Sequence, residues 1–349
     1  MGGAPLDGFD EAVAPYRFDL PDELVARYPP TERGSSRLLH LPLDGGPVRH
    51  GHFVDILDRL RPGDRLVVND TRVLAARVAA RRATGGKVEL LLLEPGPGAV
   101  RALARPARKL KAGDRLSLAS GGGATIVDEA VEGVIRVAFD ADPLDVMAAQ
   151  GELPIPPYLG RSEEAVDRVR YQTVYADAPG SAAAPTAGLH FTDELLDALA
   201  NRGVGLTRVT LHVGLGTFRP LRPEDLARGR LHEERIVVTE QAATELATTR
   251  REGGRVVAVG TTSTRTLEAA TPVGARSPEP CDTRTDLFIR EGYRFRCVDG
   301  LVTNFHLPGS SLLMLVAALA GRPRLLSAYD AAIQRGYRFY SYGDAMLLL

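Results

Sequence analysis

Three histidines in this 349-residue chain stand beside glycine or hydroxyl residues at points where the chain turns. His190 closes the stretch VYADAPGSAAAPTAGLH, in which Gly180 to Ala184 are all small and Pro185, Thr186 and Gly188 follow. His212 ends the apolar run GLTRVTLHV, just before Gly214-Leu215-Gly216. His306 lies two residues after Asn304 in LVTNFHLPGSS, ahead of Ser310 and Ser311. Imidazole takes and gives protons near neutral pH, so each is a candidate proton carrier. Two further polar groups follow apolar runs: Asn69, Asp70, Thr71 and Arg72 after RLVV, and Thr261, Thr262, Ser263 and Arg265 after RVVAVG. Small residues let a backbone approach a ligand closely, and Pro185 stiffens that approach. Together these groups could hold a small anionic or nucleoside-like ligand.

Strands and helices must bring them to one place. GLTRVTLHV, RVVAVG and LVTNF read as strands that end in the polar residues. Helices are predicted over TDELLDALANRG, EQAATELATTRRE, TTSTRTLEAA and SSLLMLVAALAG. Thr192 is the expected N-cap of the first, Asp193 and Glu194 fill its first turn, and Gly203 stops it. Strands alternating with helices of these lengths predict a layered α/β domain. In such sheets ligands bind beyond the carboxyl ends of the strands, and His190 and the Asn69–Arg72 group are expected at the same edge. Plainer roles stay open: hydroxyls that cap a helix, Arg265 paired with Glu268 one turn on, and His212 as a core residue on the strand face of Leu206 and Thr210.

The opening segment predicts a short helix over PDELVARY, a strand near Gly51 to Phe53 and a helix over VDILDRL. From Ala75 to Asp140 the texture changes. KVELLLLE, VRALARP, DRLSLA, ATIVDEA and GVIRVAF are separated by glycine-rich turns such as PGPG and SGGG. This spacing predicts a small antiparallel barrel or sandwich inserted into the α/β domain, with units at 1–74, 75–152 and 153–349. Gly85-Gly86-Lys87 lacks the partners of a phosphate-binding P-loop.

Composition excludes several function classes. Cys281 and Cys297 form neither a CxxC pair nor part of a Cys/His cluster, so a reduced compartment is expected, without metal or disulfide framework. There is no HExxH, no GxGxxG after a first strand and no GxSxG. The N-terminus has no apolar core of a signal peptide, and LLMLVAALA is too short to span a bilayer. A cytoplasmic protein with a buried helix there is expected. A net charge of −1 speaks against a generic nucleic-acid binder. Yet ten basic residues lie between Ala75 and Arg115 against Glu89, Glu94 and Asp114, a local charge of +7 that suits phosphates as well as solvated strand faces.

Long strings of the chain resemble the S-adenosylmethionine:tRNA ribosyltransferase-isomerases of queuosine biosynthesis. They include FDLPDELVARYPPTERGSSRLL, GDRLVVNDTRVLAARV, GELPIPPYLGR, YQTVYADAPGSAAAPTAGLHFTDELL, VTLHVGLGTFRPL, VGTTSTRTLEAA, GYRFRCVDGLVTNFHLPGSSLLMLVAALAG and YRFYSYGDAM, running in the family's order from about Tyr16 to Met346. The resemblance implies an α/β domain with an inserted β-barrel. It also implies an enzyme that moves the ribosyl part of S-adenosylmethionine onto the aminomethyl group of a 7-deazaguanine (preQ1) at the tRNA wobble position. The sugar rearranges to give epoxyqueuosine, and adenine and methionine leave. S-adenosylmethionine is then a consumed cosubstrate, with no other cofactor, and the partners are tRNA and this cosubstrate, with no membrane and the chain as a monomer. Such chemistry needs a base at the carbon beside the sulfonium, an acid for adenine and donors for the methionine carboxylate. The resemblance makes His190, His212, His306, Asp70 and Asp344 the candidate catalytic groups. Arg72, Thr262, Arg265, Asn304, His232 and Glu234 become candidate substrate contacts. Arg105, Arg108, Lys109 and Lys111, in ARPARKLK, would meet anticodon-stem phosphates. In GRLHEE, His232 and Glu234 match a two-histidine family stretch whose first histidine is here Gly229, and Ala75 stands where the family often has proline. The rival readings are a non-catalytic RNA-binding relative and an enzyme acting on another acceptor.

Overall fold

The computed structural model describes residues 7–93, 98–131, 133–214 and 221–349. Pro95 to Pro97 of the PGPG turn and the Leu215-Gly216 part of the turn after His212 lie outside the described residues. Strands β1 (Arg37–Leu41), β2 (Arg49–His52) and β3 (Arg65–Asn69) come first, and β4 (Thr71–Val73) leads into the insert. The insert holds β5 (Arg77–Arg82), β6 (Lys87–Leu93), β7 (Val100–Arg105), β8 (Arg115–Leu118), β9 (Gly123–Ile126) and β10 (Val134–Phe139). The chain returns through β11 (Ala178–Ser181) and goes on to β12 (Gly205–Leu211), β13 (Arg230–Val238), β14 (Val256–Val259), β15 (Cys281–Leu287), β16 (Gly300–Asn304) and β17 (Ala345–Leu348).

Among the described residues nine strands form one mixed sheet, ordered β15-β13-β12-β3-β14-β16-β17-β1-β2. Helices α1 (Asp7–Val13), α2 (Pro143–Gln150), α3 (Ala165–Arg170), α4 (Asp193–Asn201), α5 (Pro223–Arg228), α6 (Glu240–Arg251), α7 (Gly260–Ala270), α8 (Ser311–Ala320) and α9 (Arg322–Gln334) complete the chain. Central strands such as β14 and β16 are buried along their whole length, as strands covered on both faces must be. Leu246, Leu267, Leu313, Leu325 and Tyr329 cover one side of the sheet, and Phe53, Phe191, Leu195 and Leu199 the other. The apolar run of α8 is the expected buried helix. Among the described residues no single helix is long and apolar enough to cross a membrane, and α8 and α9 meet at 111°.

The insert is a closed six-stranded antiparallel barrel, ordered β10-β7-β6-β5-β8-β9, which decides between barrel and sandwich. Its interior is its own: Val78, Leu90, Ala102, Leu116, Ile126 and Val137 point inward, and Val146 and Met147 of α2 pack against them. Gly85 turns the β5–β6 hairpin at φ +82°, a conformation for which glycine is the easy residue. A short parallel pairing of β4 with β11 forms the neck between barrel and sheet.

Two local expectations are corrected. PDELVARY holds one 3-10 turn, Asp22–Leu24, after which Val25 bridges to Phe339. Pro29 and Pro30 downstream lack the N–H that a helix would need there. VDILDRL is likewise a 3-10 segment, Phe53–Asp58, whose last turn tightens as Arg59 and Leu60 both donate to the Ile56 carbonyl. The caps were as expected: the Thr192 hydroxyl accepts from Leu195 N–H at 3.2 Å, the Ser310 hydroxyl from Leu313 N–H at 3.2 Å, and Gly203 follows α4 at φ +79°.

Candidate active site

Sheet topology makes the first contribution. β12, β3, β14 and β16 lie side by side and parallel, so their carboxyl ends share one edge. His212, Asp70, the start of α7 and Asn304 all emerge there. The candidate residues then fall into two groups.

The first group is tied into the packing beneath the edge. Asn304 Nδ2 donates to the Tyr340 carbonyl at 3.0 Å and to His190 Nε2 at 3.2 Å. An amide nitrogen only donates, so His190 Nε2 accepts, and its Nδ1–H serves the Ser36 hydroxyl at 2.9 Å. Burial pushes His190 down to about 4, against a usual 6.5. His306 Nε2 meets the Thr303 hydroxyl at 2.7 Å, and the protein around it pushes it down to about 4. Buried Asp344 accepts from Arg37 N, Nε and Nη2 at 2.8, 3.1 and 2.7 Å and from Arg338 N–H at 2.8 Å. It clamps β17 to β1.

The second group surrounds a cavity of about 230 Å³ between barrel and sheet edge. Leu93 and Arg101 line it from the barrel, Gly180 and Ala182 from the neck and just beyond it, His212 to Gly214 from the end of β12, and His232 and Glu233 from β13. His212 Nδ1 lies 3.0 Å from the Thr71 hydroxyl, which is 2.7 Å from the Ser181 hydroxyl. The Ser181 oxygen accepts the Val213 N–H at 2.8 Å. The imidazole lies on Gly180, where a Cβ would come within 2.7 Å of Nδ1, so no larger residue fits without moving the ring. Asp70 accepts from the Thr210 hydroxyl at 2.7 Å, and burial pushes its carboxyl up. Asn69 bonds both ways to the Leu211 backbone, at 3.0 Å each, extending the ladder to the turn. Arg72 is exposed and donates to the Ala176 carbonyl at 2.6 Å.

Behind His232, buried Glu234 joins this wall to α7. Its Oε1 accepts the Gly214 N–H at 3.0 Å and its Oε2 pairs with Arg265 Nη1. Arg265 therefore does not pair with Glu268, which is buried and accepts the backbone N–H groups of Arg296, Cys297 and Val298 at 2.9, 3.0 and 3.0 Å. Arg265 Nε donates to the Leu287 carbonyl at 3.1 Å, while its buried Nη2 has no partner among the described residues. On α7, Ser263, Thr264 and Thr266 bond back to carbonyls four residues earlier. Among the described residues Thr262 Oγ1 is left buried without a partner, one turn from Arg265, and no side chain caps the helix. A guanidinium edge, a hydroxyl and first-turn N–H groups together suit an anionic oxygen.

On the barrel, Arg105, Arg108, Lys109 and Lys111 are exposed. Arg101 and Arg105 share the outward face of β7, about 13 Å apart at the usual strand rise, so the cations lead away from the cavity wall. Gly229 ends α5 in the left-handed region, at φ 63° and ψ 27°. No local pattern in the chain announces the roles of Thr71, Ser181, Gly180 and Arg101. Thr71, Gly180 and Ser181 do stand inside the polar and small-residue stretches, and Arg101 among the ten basic residues. Among the described residues, no group of three or more His, Cys, Asp or Glu side chains is placed to hold a metal ion.

Residues 13–348 match the family described as "Queuosine biosynthesis protein". The chain belongs to this family. It is 52% identical to a protein of Anaeromyxobacter dehalogenans over 97% of this chain and 99% of that one. It is 49% identical to one of Pelobacter propionicus over 96% and 99%. Both relatives carry the name S-adenosylmethionine:tRNA ribosyltransferase-isomerase. A crystal structure of the S-adenosylmethionine tRNA ribosyltransferase of Thermotoga maritima is similar at 36% identity and a TM-score of 0.56, over 96% of this chain and all of that one. The queuosine biosynthesis family thus extends across barrel, neck and sheet alike.

Proposed function

We propose that this chain transfers and isomerises the ribosyl part of S-adenosylmethionine onto preQ1 at the tRNA wobble position, giving epoxyqueuosine and releasing adenine and methionine. The observation that carries this reading is likeness to enzymes of that name over 96–97% of this chain and 99% of theirs. The cavity adds support: it lies where a cationic barrel meets the polar edge of the sheet, so one bound RNA can reach both. The wobble base would be splayed into the cavity while phosphates meet Arg105, Arg108, Lys109 and Lys111.

Of the three histidines, His212 is our choice for the proton carrier, because it lines the cavity while buried His190 and half-buried His306 do not, and both of these are pushed down to about 4. The sulfonium acidifies the neighbouring C–H. The proton passes to imidazole, and the electron pair stays on carbon beside the positive sulfur. Arg265 Nη2 and Thr262 Oγ1 would hold the methionine carboxylate, with Glu234 orienting the guanidinium. His232 would contact substrate from the facing wall, and Asp70 and Arg72 the sugar or aminomethyl group. Asn304 and Asp344 would act at one remove, through the packing that shapes the edge. We place the chain in the cytoplasm, where its tRNA is, as a monomer. The unit limits we favour are 1–74, 75–152 and 153–349, since Arg77 and Glu152 exchange backbone hydrogen bonds at 3.0 and 2.9 Å where the insert leaves and returns.

Purified protein with S-adenosylmethionine and a preQ1-containing anticodon stem-loop tests the reading. Adenine release together with a mass gain on the RNA supports it. Adenine without RNA modification indicates another acceptor, and RNA binding with neither signal indicates a non-catalytic relative.

A further inference from the structure

We propose that Arg33 and Arg170 form a second phosphate site, on the sheet side of the neck, which takes a phosphodiester of the RNA beside the base to be modified. The inference deepens the functional reading above and rests on it.

Arg33 lies in the loop after Pro29 and Pro30. It donates from Nη1 to the Leu189 carbonyl and from Nη2 to the Val169 carbonyl, both at 3.3 Å. Arg170 ends α3 and donates from Nη1 to the Thr31 carbonyl at 3.0 Å. Each arginine thus reaches into the other's stretch of chain, and two like charges are held near one another. Both are half-buried. Burial pushes the Arg33 guanidinium down, and the charge of Arg170 pushes the same way; burial lowers Arg170 as well.

A carboxylate ordinarily relieves such a pair. Nearby in the chain, Arg161 closes on Asp167 at 2.6 Å and Arg168 on Glu163 at 2.7 Å. Arg33 and Arg170 are held by backbone carbonyls instead. Asp193 acts on Arg33 through space, but among the described residues neither arginine closes on an acid. A guanidinium carries five N–H groups in a rigid fork, and carbonyls take two of those on Arg33 and one on Arg170. Most donors remain, on forks whose anchors carry no charge. Two fixed cations, half withdrawn from water and without a counter-charge, are the complement of a phosphate group.

Their place in the fold says which phosphate. From Arg170 the chain runs through Tyr175 and Ala176 into β11, whose Gly180 lines the cavity. Burial pushes the Tyr175 hydroxyl up, and the charges of Arg33 and Asp70 act on it in opposite senses, so Tyr175 lies within reach of both. Arg72 donates to the Ala176 carbonyl, one residue further on. The pair is therefore continuous with residues already placed at the substrate. The barrel cations, by contrast, lie along β7 and the turn after it. A stem-loop with its wobble base in the cavity would meet the barrel with its stem, and Arg33 and Arg170 with the loop strand beside that base.

The test uses the full chain and a preQ1-containing anticodon stem-loop, with binding titrated at several salt concentrations. Arg33→Gln and Arg170→Gln, made separately, should each weaken binding about tenfold and lower the salt slope by about 0.7. KM for S-adenosylmethionine should stay within about twofold. Stem-loops with one uncharged methylphosphonate linkage, moved through the loop, probe the RNA side. One linkage beside the wobble base should cost the unchanged chain about tenfold, and cost Arg33→Gln almost nothing further. The variant lacking Arg105, Arg108, Lys109 and Lys111 should still feel that linkage. If Arg33→Gln does not fold, Arg170→Gln carries the same comparison. The proposal is overturned if no loop linkage matters to the unchanged chain, or if the arginine variants lose as much on that linkage as the unchanged chain does. A raised KM for S-adenosylmethionine with RNA binding intact also overturns it, and gives the pair to the methionine carboxylate. Should the unchanged chain show the expected linkage pattern and release no adenine, the phosphate site stands and the assignment of the reaction falls.

Discussion

At His190 and His306, each pushed down to about 4 from a usual 6.5, the folded chain favours the neutral imidazole. The unfolded chain takes up protons near 6.5 and the folded chain does not, so this part of the stability is fully present above about 6.5 and is lost as pH falls toward about 4. Urea midpoints measured across that window should fall with a slope of up to about two protons, and His306→Gln should remove about one of them. At the cavity the expectation reverses: His212→Gln should cut turnover by roughly 100-fold or more with little change in stability, and His306→Gln should leave turnover within a few-fold. Thr262 separates stability from function in another way. Its hydroxyl is buried without a partner, so Thr262→Val should leave the melting temperature unchanged or higher. If that oxygen holds the methionine carboxylate, the same change should raise KM for S-adenosylmethionine by about tenfold.

At the scale of elements, what could be read in the sequence was whatever depends on near neighbours. Thr192, Ser310 and Gly203 mark helix ends because a cap acts within four residues. The strands of the insert were legible from alternation and glycine turns. Their closure was not, because it rests on pairings such as β5 with β8 and β9 with β10, of which alternation says nothing. Arg265 shows the same limit: Glu268 looked like its partner one turn away, but a distant backbone turn claims that carboxylate, and Arg265 goes to Glu234, 31 residues off in the chain. The Thr71–Ser181–His212 contacts join positions 110 and 141 residues apart, so no local pattern announces them. Gly229 is an element-level matter too. As the left-handed end of α5 it suits glycine, and Gly229→His should cost about 1 kcal/mol in urea unfolding. If the missing family histidine is dispensable, that variant should gain no kcat. Leu90→Ala, at the centre of the barrel, should cost about 2–5 kcal/mol and be seen as an earlier loss of barrel structure in hydrogen exchange.

Across the whole molecule, the function proposed above would have barrel and sheet divide the labour of holding a charged RNA and performing the chemistry. Replacing Arg105, Arg108, Lys109 and Lys111 together with alanine should weaken stem-loop binding and lower its salt slope by roughly 3, while KM for S-adenosylmethionine holds. A slope that did not change would place the RNA on another surface. The sheet itself carries a different consequence. β17 lies between β16 and β1, and the Arg37–Asp344 clamp that seats it joins residues 307 positions apart. On the ribosome, at ~5–20 residues per second, β1 emerges roughly 15–60 s before its partner exists. Through that interval Leu38 and Leu39 sit on an open strand edge, ready to pair with any neighbouring chain. The barrel, whose pairings lie within 77–139, can close long before. Synthesis therefore produces a finished barrel attached to an unfinished sheet, and the nascent chain's exposure to aggregation is greatest while the second half is being made.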